Sequence, residues 1–154
     1  IMLIEDGKII GNGPINEILT RFDLPLSHSG DAISIFDARV MSRDTDFNLM
    51  HLEFKGGQFI VPDNKLPIES LVRIRVAARD VSITKKKQTD TSILNIFPAV
   101  VEEIAPEGDA QVMVRLTLKG VVLLACLTRK SASSLKLDQG LSVFIQVKSV
   151  AILS

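Results

Sequence analysis

A mainly β chain is the fold class this sequence predicts: two similar five-stranded barrels in tandem, with one short helix each at most, preceded by a short hairpin and helix. Three observations predict it. Apolar and polar residues alternate over short stretches, as where Val72, Ile74 and Val76 are separated by Arg73 and Arg75, which is the period of a half-buried strand. Turn-forming pairs such as Gly56-Gly57 and Lys119-Gly120 separate these stretches. The two halves also repeat one another. Ile35-Phe36-Asp37-Ala38-Arg39-Val40 aligns with Ile96-Phe97-Pro98-Ala99-Val100-Val101 at an offset of 61, and Arg79-Asp80-Val81-Ser82-Ile83 aligns with Lys148-Ser149-Val150-Ala151-Ile152 at an offset of 69. The difference of eight residues fits one extra short helix at residues 128–135, present only in the second copy. Duplicated small all-β units of this kind suggest two barrels packed together.

In chain order, residues 2–4 and 8–10 read as two short strands around a Glu5-Asp6-Gly7 turn. Gly11-Asn12-Gly13-Pro14 opens a short helix at residues 14–21, because proline pre-sets the first helical φ. Ile15, Ile18, Leu19 and Phe22 fall on one face of it, too much for so small a piece to bury alone. Residues 23–32, with Pro25, Ser27, Ser29 and Gly30, read as a linker. Strands follow at 33–40, 48–54, 58–61, 72–76 and 81–83. The run Lys85-Lys86-Lys87 reads as a solvated loop. The second half (residues 91–154, against 33–84 for the first) has a long strand at 93–104, where Pro98 suggests an edge or a bulge. Strands at 112–118 and 121–127 follow, then the helix capped by Thr128, then a last strand reaching residue 150.

Composition narrows the function. The chain has 154 residues, is 46% hydrophobic, and carries 18 basic and 18 acidic side chains, for a net charge of zero. That hydrophobic share is enough for a real core. A nucleic-acid binder usually shows a basic excess and stacking aromatics; here there is no Trp or Tyr. A single cysteine, Cys126, makes no internal disulfide, which fits a reducing compartment, and its apolar neighbours mark it as a small buried hydrophobe. No apolar run approaches the ~18 residues of a membrane span, and the start lacks the pattern of a signal peptide. Ile1 in place of Met is expected of a piece cut from a longer chain. His28 and His51 are not spaced as metal ligands. No glycine-rich phosphate loop is present. Glu102 and Glu103, adjacent on a strand, are expected to point to opposite faces and so cannot share a substrate.

Three polar stretches remain. Thr91-Ser92-Ile93-Leu94-Asn95 brings small hydroxyls and an amide to the start of one apolar run. Lys148 and Ser149 stand at the end of another, and Thr128-Arg129-Lys130-Ser131 lies between them. Together they offer hydroxyls, backbone N–H groups and positive charge, with no carboxylate inside any of the three. A small dianion is costly to desolvate unless directed donors replace its water. Ser92, Thr128, Ser131, Ser149 and Lys148 would supply charge-assisted bonds, with the helix start after Thr128 as a favourable dipole end.

Residues 91–154 resemble the molybdate-binding domain of TOBE or Mop type, an OB-like barrel. The matching pieces are Thr91-Ser92-x-x-Asn95, Leu127-Thr128-x-x-Ser131, Leu135-x-Leu137-x-x-Gly140 and Val147-Lys148-Ser149. The resemblance implies molybdate or tungstate held by Ser92, Ile93, Leu94, Asn95, Thr128, Ser131, Lys148 and Ser149, often at an interface between domain copies. One position departs: Leu94 stands where the family often has an arginine, leaving Lys148 as the main matched cation. Glu5-Asp6-Gly7-Lys8-Ile9-Ile10-Gly11-x-Gly13-Pro14 looks like the end of an ABC-transporter nucleotide-binding domain. Val72-Arg73-Ile74-Arg75-Val76-x-x-Arg79-Asp80-Val81-Ser82 is similar to the first half of the regulatory domain of import ATPases. The whole chain thus resembles the C-terminal region of the ATP-binding subunit of a molybdate ABC importer. This implies residues 1–22 as the tail of the nucleotide-binding domain, 23–32 as linker and 33–154 as the regulatory domain. It further implies a homodimer, an upstream ATP-binding domain, a membrane permease as partner, and a cytoplasmic place at the inner face of the membrane. The Walker and signature motifs of that family lie upstream, so this stretch is not expected to hydrolyse ATP. The alternatives are a structural dimerisation domain of an import ATPase without a functional oxyanion site, an oligonucleotide-binding barrel, and a regulatory domain that senses a partner protein.

Overall fold

The computed structural model describes residues 1–28 and 31–153. Residues 29 and 30 of the expected linker, and residue 154, lie outside the described residues. A hairpin of β1 (Met2–Glu5) and β2 (Lys8–Asn12) opens the chain, turning through Asp6 and Gly7 with φ of 50° and 75°. Both angles are those of a type I′ turn, which matches the twist of the strands it joins. Helix α1 (Ile15–Thr20) follows, then a single 3-10 turn at Pro25–Ser27. The first repeat supplies β3 (Ile33–Asp44), β4 (Leu49–Phe54), β5 (Gly57–Pro62), β6 (Leu71–Ala77) and β7 (Val81–Thr84). The second supplies β8 (Asn95–Glu107), β9 (Gln111–Leu118), β10 (Val121–Thr128), helix α2 (Arg129–Ser134), β11 (Ser142–Val147) and β12 (Ala151–Leu153).

The repeat is visible in the backbone. β3 and β8 are each long enough to serve two neighbours, because each bends at a bulge. In β3 the register shifts between Val40 and Ser42, and in β8 between Val101 and Glu103. The unpaired residues, Met41 and Glu102, are 61 positions apart, the same offset as the repeat. A bulge bends a strand and sharpens its twist, which lets one sheet curl. It also corrects the expectation for Glu102 and Glu103. Both are exposed, because the extra residue interrupts the alternation that would have put them on opposite faces. Pro98 is not at the bulge. It pairs with Phe144 of β11, and the ladder to β9 begins only at Val100, so its missing N–H leaves no gap in a ladder on the other side. Strand β8 also runs on past residue 104, through Pro106 to Glu107.

Each half lends its last strand to the other. The sheets run in the order β12-β6-β3-β4-β5 and β10-β9-β8-β11-β7. The last strand of the second half was expected to reach residue 150. Instead β11 ends at Val147, and after three intervening residues the chain joins β6 of the first half as β12. β7 makes the reciprocal move and pairs with β11. In the second sheet, β10 at one edge returns to lie against β7 at the other, as in a curled barrel.

The two sheets share one core. Phe54 and Phe59 from the first half meet Phe97 from the second, with ring centroids 5.4 and 5.0 Å apart. Phe36 completes the cluster at 5.1 Å from Phe54. A Cβ at Gly56 would come 2.5 Å from the Phe54 ring, so only glycine leaves that ring in place. α1 buries its apolar face against the rest of this chain, the cover that so small a piece needed. Ile18 and Leu19 are buried, and Asn16 ties the helix to both halves: its Nδ2 donates to Val122 O at 2.9 Å, and its Oδ1 accepts from Ile35 N at 2.8 Å. Arg115 adds a bond to Thr20 Oγ1 at 3.0 Å. The hairpin leaves much of its apolar surface outside: Ile1, Met2, Ile4 and Ile9 are at least half exposed, while Leu3 and Ile10 are half-buried. The loop after β5 is pinned by Asp63. The backbone N–H of Lys65 and the guanidinium of Arg43 hold its carboxyl below the usual carboxylate range.

Candidate functional site

The three polar stretches are placed by the ends of four strands. β8 starts at Asn95, directly across from Val147, the last residue of β11. Residues 92–94 lead into that end of the ladder, and residues 148–150 lead away from it toward the other sheet. Ser92, Lys148 and Ser149 are exposed, and Leu94 is 61% exposed. Among the described residues the Lys148 ammonium has no ion pair, so it is free to meet an anion.

Asn95 is the exception in this group. It is buried, and both ends of its amide are engaged with β5 of the first half: Oδ1 accepts from Ile60 N at 2.8 Å and Nδ2 donates to Ile60 O at 3.0 Å. Its repeat-mate at an offset of 61 is Ser34, which reaches the other way. Ser34 Oγ accepts from Leu124 N of β10 at 3.1 Å. Lys55-Gly56 and Lys119-Gly120 place the β5 and β10 turns at an offset of 64, so Ile60 and Leu124 are mates too. Each half thus begins with a polar side chain that clasps the third strand of the other.

Thr128 caps α2 as its position predicted. Its Oγ1 accepts from Ser131 N at 3.1 Å and donates to Ser131 Oγ at 3.0 Å. This satisfies one of the orphan donors of the helix start, so the pair is preorganised. Ser131 borders a recess with Ser82, Leu127, Lys130 and Ser134. No carboxylate lines it. Ser149 borders a different recess, with Arg75, Arg79, Asp80 and Val150. Within one chain, then, Lys148 and Ser149 follow β11 at the Asn95–Val147 end of its ladder, while Thr128 and Ser131 open α2 as a separate group.

Sequence reasoning missed the first-half residues that enter these recesses: Ser82, Arg75, Arg79 and Asp80. The repeat held the signal, since Asp80 aligns with Ser149, but using it required the exchange of last strands. Deeper in, Gln146 Nε2 donates to Ser82 Oγ at 3.3 Å while its Oε1 is buried with no partner. Among the described residues no group of three or more His, Cys, Asp or Glu side chains could hold a metal ion. His28 Nδ1 lies 3.6 Å from Glu107 Oε2, away from these groups. Cys126 is half-buried; burial first, and the Glu107 carboxylate second, push its thiol up and away from the reactive thiolate. No helix among the described residues is long and apolar enough to cross a membrane.

Comparison with known proteins gives three kinds of match. The TOBE domain family model matches residues 91–153. Over 99% of its length the chain is 44% identical to the molybdenum import ATP-binding protein ModC of Albidiferax ferrireducens and 41% identical to that of Aromatoleum aromaticum. It spans 42% and 41% of those proteins' lengths. Among solved structures, the cytoplasmic molybdate-binding protein ModG, crystallised with molybdate bound, superimposes with a TM-score of 0.67. That match covers 78% of this chain and 94% of the other at 21% identity, and establishes the fold.

Proposed function

We propose, on the match of residues 91–153 to the TOBE domain family model, that the chain is the regulatory part of a molybdate import ATPase subunit. It binds molybdate or tungstate between two copies of itself and so controls transport. The observation that carries this is the separation of the matched residues into two exposed groups: Thr128 with Ser131, preorganised by their mutual hydrogen bonds, and Lys148 with Ser149 past the end of β11, where Ser92 precedes β8. Neither group alone surrounds a tetrahedral anion. One group from each of two copies would do so, and the dimer would then carry two such sites. The relatives' name and the shared fold with a molybdate-binding protein support the choice of anion.

ATP binding and hydrolysis belong, in this proposal, to the part of the relatives that this chain does not span. The permease is the partner of the whole subunit, and the assembly sits at the cytoplasmic face of the membrane. Regulation then follows from linkage. An anion bound between two regulatory domains stabilises the arrangement in which they meet, and shifts the transporter only as far as it binds that arrangement more tightly.

Lys148 supplies the charge. It is exposed, so Lys148→Ala leaves the core intact while removing a charge-assisted bond. Isothermal titration with sodium molybdate, sulfate as control, is expected to show binding by the wild-type chain and an affinity about tenfold lower or worse for the variant. Equal affinities would remove Lys148 from the site. Leu94 favours one competing reading. It is exposed where the family often carries an arginine, which suits a dimerisation domain without an anion site; a dimer that gives no heat with molybdate would support that reading.

A further inference from the structure

We infer that Asp80 is the residue that limits anion affinity at the Ser149 end of the proposed site; the inference rests on the oxyanion reading above. Asp80 and Ser149 are repeat-mates, 69 positions apart, and each stands where its half crosses to the other sheet. They meet at that crossing. Lys148 N donates to Asp80 O at 2.9 Å, and Ser149 Oγ donates to Asp80 Oδ2 at 3.2 Å. The first half therefore places a carboxylate on the hydroxyl that the second half would offer to an oxyanion.

The same exchange recurs across the repeat. Arg79 aligns with Lys148 at the offset of 69, and Asp31 aligns with Ser92 at the offset of 61. Arg79 Nη1 lies 3.4 Å from Asp31 Oδ1. In the first half, then, the positions of two candidate hydroxyl ligands are held by carboxylates, and the cation that matches Lys148 is paired with one of them. The first half meets its positive charge with its own side chains. The second half leaves Lys148 free, but Asp80 reaches across to Ser149.

A fully deprotonated dianion at Ser149 has to displace the Asp80 bond and sit near its charge. Both cost affinity, even with Arg75 and Arg79 lining the same recess of about 210 Å³. Asp80→Asn keeps the shape and an acceptor for Ser149 but removes the charge. Asp80→Ala also frees the Ser149 hydroxyl. Titration of the full chain with sodium molybdate at low salt is expected to give an affinity about tenfold higher for Asp80→Asn, with the gain shrinking as salt screens the charge. Glu69→Gln makes the same change in net charge at the opposite end of β6 and is expected to leave affinity unchanged. Wild-type binding with no gain in either Asp80 variant, or an equal gain from Glu69→Gln, overturns the inference and leaves the oxyanion reading standing. Absence of binding in the wild type and in both variants overturns the oxyanion reading, and this inference with it.

Discussion

Asn95→Ala is expected to destabilise the chain by about 2–3 kcal/mol, the cost of leaving two partly buried backbone groups of Ile60 without partners. Family resemblance made Asn95 a candidate oxyanion ligand. The structure gives both ends of its amide to β5, so its first effect is on the union of the two halves. Ser34→Ala, at the mate position, removes only one bond and is expected to cost about 1–2 kcal/mol. Urea unfolding of the two variants gives the order directly. If Asn95→Ala were as stable as wild type yet failed to bind molybdate, the side chain would be a ligand and not a clasp.

Phe59→Ala is expected to cost about 3–5 kcal/mol, as large-to-small changes at fully buried aromatic positions do. Phe59 has no exposed surface, and its ring lies 4.8 Å from Phe54 and 5.8 Å from Phe36 as well as 5.0 Å from Phe97. Phe97 belongs to the other half, so the loss falls on the shared core. Together with the exchange of β7 and β12, this makes the two halves one cooperative unit. Calorimetry of the wild-type chain should show a single transition, moved to lower temperature in Phe59→Ala. Two separate transitions, only one of them moved, would mean that each half folds by itself.

The strand pattern, the repeat and the helix at Thr128 were legible because each rests on local chemistry: alternation, turn pairs, and a hydroxyl three residues before a free N–H. The repeat even carried the bulge, since Met41 and Glu102 share its offset, but a bulge leaves no mark on composition and so Glu102 and Glu103 were placed on opposite faces. The exchange of last strands was not legible. Val81-Ser82-Ile83 and Val150-Ala151-Ile152 look alike, and nothing local decides which sheet each joins. That choice is made by long-range pairing, which also decides what Asn95 holds and what Ser149 faces. Reading Asn95 as a ligand followed from residue type and motif alone. Its engagement with Ile60, 35 positions earlier, needed the fold.

The claim that the anion site is completed by a second copy is tested most directly by mixing two defective variants. Ser131→Ala and Lys148→Ala damage different groups, so a mixed dimer would carry one site with both defects and one with neither. Titration of the mixture with molybdate, after exchange of subunits, is expected to reveal a fraction of sites with wild-type affinity that neither variant has alone. A mixture that binds only as the average of its two components would contradict a site shared between copies.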